Sequence, residues 1–425
     1  MRLLTDLGPL RQSRPFRRLW VGSTFSSVGS ALTTFAVPLQ IFDITHSSLA
    51  VGGLGIAQLV PLLSVGLIGG RVADTLDRRR VLLATTTVST VVSAVLTAQA
   101  FAGLRLVWVL YGVVAIKSAA GALGAPARRA LVPRLLAADQ LPAGLALNRI
   151  TFQLMLAAGP ALGGLIASVP ALGLRGCYLV DTASSVASFW GVAGLPLAAG
   201  APRPDAGGLA DGLRLIRRSQ ALSGALLLDM TATAFALPIV LFPAINAARF
   251  GGNPQTLGLF TAAIGAGGLL TAVMSAPFTR VERRGVLMLV AVATWGAAFA
   301  GFAVVSALWP TLCLLGVAGA ADTITVVSRS AIIQSNAPDH ARGRVSAAEY
   351  IASGAGSYLG DLGSGALASV TTAATSALIG GLATVAGTAV IGLTLPGLRC
   401  HRSSDSPLPD QQSDTRMPAT PSPTP

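Results

Sequence analysis

Five ionisable side chains, Lys117, Asp181, Asp229, Asp322 and Asp361, interrupt stretches of sequence that otherwise carry no charge. An isolated ion in hydrocarbon costs several kcal/mol, so such groups persist where they face water, a counter-charge or a transported species. Their chemistry is that of proton exchange and charge recognition. It is not that of a catalytic constellation. The three histidines, His46, His340 and His401, fall in connections or near the C-terminus, too scattered for a triad or a metal centre. The one lysine follows Ile116 and not a glycine, which excludes a phosphate-binding P-loop. Cys177, Cys313 and Cys400 match no disulfide or metal spacing. No cofactor, no metal and no enzymatic role are expected.

The elements that must hold these charges are apolar helices. Hydrophobic residues make up 52% of the 425-residue chain, charged residues 11%, and its mean hydropathy is +0.67. Runs long enough to cross a hydrocarbon core, which takes roughly 20 helical residues, fall near 19–41, 49–70, 81–102, 106–124, 150–170 and 176–197, and again near 221–245, 257–278, 286–307, 309–327, 350–370 and 376–396. The expectation is an all-α membrane protein of twelve transmembrane helices. The first run is too long for a signal-peptide core and remains as the first span.

Charge sets the orientation. Of 29 arginines, all but Arg105, Arg175 and Arg249 fall in the N-terminus, the even-numbered connections or the tail, which by the positive-inside rule places both termini in the cytoplasm. The net charge of +13 is gathered between apolar runs rather than striped with aromatics, so nucleic acid is not an expected partner. Residues 198–222 read as a cytoplasmic linker. Within it Leu209, Leu213 and Ile216 share one helical face opposite Arg214, Arg217 and Arg218, the pattern of a short helix lying on anionic headgroups. Residues 398–425 turn to Ser, Pro, Asp and Gln without apolar periodicity and read as a disordered tail.

At an offset of 205 residues Pro38 aligns with Pro243, Asp77-Arg78-Arg79 with Glu282-Arg283-Arg284, and Pro133 with Pro338. Two parallel six-helix bundles, 1–197 and 223–397, related by an axis along the membrane normal, are therefore expected. The same offset relates Lys117 to Asp322, at equal depth in opposite halves. A charge pair, or a shared water-filled site, across a central cavity follows as an expectation.

Four segments carry a family resemblance. The run Gly70-Arg71-Val72-Ala73-Asp74-Thr75-Leu76-Asp77-Arg78-Arg79-Arg80 between spans two and three resembles the signature loop of the major facilitator superfamily, with Thr75 and Asp77 at positions that hold a basic residue and a glycine in the family. Gly159-Pro160-Ala161-Leu162-Gly163-Gly164 in span five resembles the helix motif of its antiporters. Gly124-Ala125-Pro126-Ala127-Arg128-Arg129-Ala130-Leu131-Val132-Pro133 and Gly343-Arg344-Val345-Ser346 extend the likeness to the branch of enterobactin exporters and macrolide-efflux-like proteins.

That resemblance implies the major facilitator fold, with spans one, four, seven and ten around the cavity. Lys117, Asp229 and Asp322 would then line the substrate or proton path, and Asp361 would lie between the halves, as proton carrier or hydrogen-bond partner. Gly70, Asp74, Arg78 and Arg79 would form a conformational latch. Gly159, Pro160, Gly163 and Gly164 would form a bending or sealing element. Asp181, on peripheral span six, is expected to bond neighbouring hydroxyls. The implied function is export of a small organic molecule from the cytoplasm across the inner membrane, by a monomer coupled to protons and surrounded by lipid. Import of a small solute, or a non-transporting membrane enzyme or sensor, are the alternatives.

Overall fold

The computed structural model describes residues 8–75, 77–137, 139–195, 209–235, 238–274, 278, 281–337 and 342–400. Of the linker, 198–208 lies outside them, as does the tail beyond 400. So do the side chains of 66–76, which include Gly70 and Asp74 of the expected latch, and of Gly343 in the Gly343–Ser346 segment.

The first half consists of α1 (Arg14–Thr45), α2 (Ser48–Thr75), α3 (Arg78–Phe101), α4 (Val107–Leu135), α5 (Leu141–Ser168) and α6 (Gly173–Ala193). Two of the starts are capped by side chains. Ser13 accepts the Phe16 N–H and donates to the Leu135 carbonyl at 2.7 Å, capping α1 while tying it to α4. Asp77 accepts the Arg79 N–H at 2.8 Å and caps α3. At the far end of α6, the Arg79 and Arg18 guanidiniums donate to the Ala193 and Gly194 carbonyls, where the helix dipole favours cations.

The linker helix spans Leu209–Arg218. Part of its apolar face meets protein: Ile216 is buried in the core and Gly212 lies against the Arg344 backbone, while Leu213 is exposed.

The second half holds α7 (Gln220–Phe235), α8 (Pro254–Val273), α9 (Arg284–Val304), α10 (Leu308–Asn336), α11 (Arg342–Val370) and α12 (Ala373–Thr394). The seventh apolar run, expected as one helix, is broken. After α7 comes a 3-10 turn at Pro238–Leu241 and then a short helix, Phe242–Phe250. Proline lacks the N–H that an α-helix needs, which fits the 3-10 turn that opens at Pro238. The short helix ends at Gly251, whose φ of 70° is left-handed.

Among the described residues ten helices are long and apolar enough to cross a membrane. The two members of the expected twelve that fall short are α6 and α11. Both are continuous, over 21 and 29 residues, but α6 carries Ser, Thr, Gly and Asp181, and α11 carries Ser, Gly, Glu349 and Asp361. Exposed Trp108 and Trp309 begin α4 and α10, and exposed Trp190 ends α6 at the opposite face of the bundle, the two levels of an aromatic belt.

Packing repeats with the sequence. Contacts α1·α5, α1·α6, α2·α4, α3·α4 and α3·α6 recur in the second half as α7·α11, α7·α12, α8·α10, α9·α10 and α9·α12. The halves meet through α2·α11 and α5·α8, which a twofold operation exchanges. A Cβ on Gly52 would stand 3.1 Å from the Gly365 Cα, and one on Gly258 would stand 3.1 Å from the Gly164 Cα. Backbone thus meets backbone in two related places, both near the arginine-poor end. Gly258→Val is expected to wedge these helices apart and lower the apparent melting temperature of the purified protein by about 1–3 °C, as overpacking costs roughly 1–3 kcal/mol. An unchanged melting curve would overturn the close contact.

Candidate functional site

A cavity of about 680 Å³ runs within the first half, walled by α1, α3, α4, α5 and α6, with Tyr350 contributed by α11. It reaches Lys117 at its deep end and Arg128, three turns on along α4 toward the arginine-rich end. The walls carry Ser and Thr at helical spacing, with an apolar strip that includes Phe152 and Leu156.

Lys117 is ion-paired to Asp181, whose same carboxylate oxygen accepts from Thr33 and Ser93 hydroxyls, each at 2.8 Å. Four helices, α1, α3, α4 and α6, thereby meet at one carboxylate, and its side chain is 1% exposed. The absence of a side chain at Gly29 makes this possible, since a Cβ there would stand 2.6 Å from Asp181 Oδ1. The expected Lys117–Asp322 pair is not formed. An amine on α4 has an acid within its own bundle, and reaching α10 would mean crossing the cavity. Asp181 has the hydroxyl partners expected of it, and a cation besides.

The second half holds its own network. Arg329 on α10 is ion-paired to Asp229 on α7, and its Nε lies 2.7 Å from a Glu349 oxygen on α11. Ser353 donates to the other Asp229 oxygen. Asp322 stands two turns before Arg329 on α10, within electrostatic reach of Asp229, Arg329 and Arg149. Asp361 lies where α11 meets α2, its carbonyl against Gly52 and its Cβ against Gly55. It has no hydrogen bond or ion pair among the described residues.

The span-five motif faces two ways. Gly159 and Gly163 fit against Ala31 and Phe35 of α1, while Gly164 and the Pro160 carbonyl face α8. Of the expected latch, Arg79 caps α6 as described and Arg78 is engaged in contacts of its own.

Residues 4–419 match the model of the transmembrane secretion effector family, with the paired bundles and crossed α2·α11 and α5·α8 contacts in place. The chain belongs to this major facilitator family. The chain is 29% identical over 343 residues to the multidrug efflux pump Tap of Mycolicibacterium fortuitum, covering 75% of this chain and 81% of that protein. To Tap of Mycobacterium tuberculosis (strain ATCC 25618 / H37Rv) it is 30% identical, covering 75% and 79%. To the enterobactin exporter EntS of Salmonella typhimurium it is 26% identical over 402 residues, covering 92% and 94%. Its fold is shared with the nucleoside transporter NupG, at 14% identity and a TM-score of 0.74 over 89% of this chain and 99% of that one. A D-xylose-proton symporter superposes with a TM-score of 0.71 at 15% identity, over 90% and 98%. This is a multi-pass membrane protein of a transporter family, and not an enzyme.

Sequence reading does not single out Arg329 or Arg128. Arg329 sits at the border of an apolar run and counts there among the orienting arginines. Its spacing of seven from Asp322 is the signal that could have found it, because two turns return to the same helix face. Arg128 shares a turn with Arg129, and nothing in sequence separates the one that lines a cavity from its neighbour.

Proposed function

We propose that the protein exports a small organic molecule from the cytoplasm by alternating access, in exchange for protons. One observation carries this reading: a cavity of about 680 Å³ reaches from the arginine-rich end to a buried ion pair, while the halves are packed backbone to backbone near the other end. With the arginine-rich end cytoplasmic, as its charge favours, that arrangement is loaded from inside. The names of the relatives, efflux pumps and a siderophore exporter, support the outward direction. The protein acts as a monomer in the inner membrane, both termini inside.

Coupling needs acids whose protonation changes as the halves rock. Asp322 beside the Asp229–Arg329 pair, and Asp361 at the α2·α11 contact, occupy such places. Lys117 contributes through its exchange of Asp181 for substrate. The segment with Gly70, Asp74, Arg78 and Arg79 serves as the latch, and Gly159, Pro160, Gly163 and Gly164 as the seal.

Everted vesicles given an acid-inside proton gradient are expected to accumulate substrate, and a protonophore to abolish accumulation. ATP-dependent uptake indifferent to the protonophore would overturn the coupling. Accumulation in right-side-out vesicles instead would favour import.

A further inference from the structure

The charges of the cavity are one-sided. Its described lining includes Lys117 and Arg128 and no Asp or Glu. Lys117 is neutralised from behind by Asp181, whose engaged oxygen already takes three donors. Arg128 has no hydrogen bond or ion pair among the described residues. A guanidinium stays protonated and presents several fixed donors, so its unmet demand is for a carboxylate or similar oxyanion. A cationic guest would meet this charge and find no exposed acid to offset it.

The hydroxyls divide by what they have left to offer. Ser27, Thr34 and Ser89 each donate to a carbonyl of their own helix, at 2.8, 2.8 and 2.9 Å, and therefore show the cavity acceptor lone pairs. Ser26 and Ser185 make no hydrogen bond among the described residues and keep a proton to give. The wall thus suits a guest with donors and acceptors of its own. Phe152 and Leu156 offer an apolar surface beside it. The volume, about 680 Å³, is that of pockets for drug-sized molecules.

We propose that this cavity selects an amphiphilic organic anion, its acidic group on Arg128, its hydroxyl or amide groups on the α1 and α3 hydroxyls, and its apolar part against Phe152 and Leu156. The inference rests on the export reading of the same cavity, and binding can be measured apart from transport. With the purified full chain, carboxyfluorescein serves as anionic probe and ethidium as cationic probe, both followed by fluorescence anisotropy. Carboxyfluorescein is expected to bind, and Arg128→Gln to weaken it about 10- to 100-fold, the worth of one charge-assisted contact. Arg128→Lys is expected to lose less. Ala125→Glu keeps Arg128 and sets a carboxylate one turn away, so it should weaken the anion and admit ethidium. That variant keeps the test decisive if Arg128→Gln does not fold.

Equal carboxyfluorescein affinity in wild type, Arg128→Gln and Ala125→Glu would overturn the proposal. So would ethidium binding more tightly than carboxyfluorescein to the wild type. Ethidium extrusion by vesicles that ignore the anion would sink the selectivity and leave the export reading standing. Arg128-dependent anion binding without transport in either direction would do the reverse.

Discussion

Asp181→Ala is expected to lower the stability of the purified protein by about 2–4 kcal/mol and to abolish transport. The substitution strands the Lys117 amine and removes the common acceptor of Thr33 and Ser93. Breaking a buried pair by removing one partner costs roughly 3–5 kcal/mol; Lys117, at 18% exposure on the cavity wall, recovers part of that by hydration. A cycle of Asp181→Asn, Lys117→Met and the double variant separates the contributions. The double should recover to within about 1 kcal/mol of wild type, because no charge is left unpaired and Asn still accepts the two hydroxyls. Melting temperatures in detergent give stability, and vesicle transport gives function. A double variant that folds but does not transport assigns the ion pair to the transport cycle. Asp181→Ala melting like the wild type would refute the geometry.

Element order was legible in the sequence because hydropathy and arginine placement are properties of whole segments, robust to the neighbours of any one residue. The apolar runs near 81–102 and 286–307 became α3 and α9, and the 205-residue offset reappeared as duplicated helix contacts. What failed were statements about single partners. Lys117 pairs with Asp181 and not Asp322, since repeat symmetry fixes depth in the membrane but not which side of a helix the nearest acid occupies. The seventh run looked unbroken because Pro238 and Pro243 stand among apolar residues, and hydropathy does not register a missing N–H. The linker helix showed its amphipathic period plainly. Whether its apolar face meets lipid or protein depended on the α11 surface beneath it, which its own sequence does not describe.

Arg329→Met is expected to cost about 3–5 kcal/mol, because one cation serves two acids. Asp229 and Glu349 have side chains 7% and 17% exposed, and the guanidinium between them is 11% exposed. Removing it leaves the Asp229–Arg329 and Arg329–Glu349 pairs broken together, so the loss should exceed that of either Asp229→Asn or Glu349→Gln alone. Arg329→Lys should fall between, since an ammonium lacks the planar fork that reaches two carboxylates from α7 and α11 at once. The triple variant Arg329→Met, Asp229→Asn, Glu349→Gln removes the whole set of charges and should regain most of the melting temperature. Transport then decides what the network is for. It links α7, α10 and α11, and α11 is the helix that packs on α2 of the other half, so any change in the charge of the network is felt at a surface that must slide during alternation. A triple variant that melts normally and transports at the wild-type rate would show the network to be a tether alone. One that melts normally and has lost proton-dependent transport would place Arg329, with neighbouring Asp322, in the coupling itself.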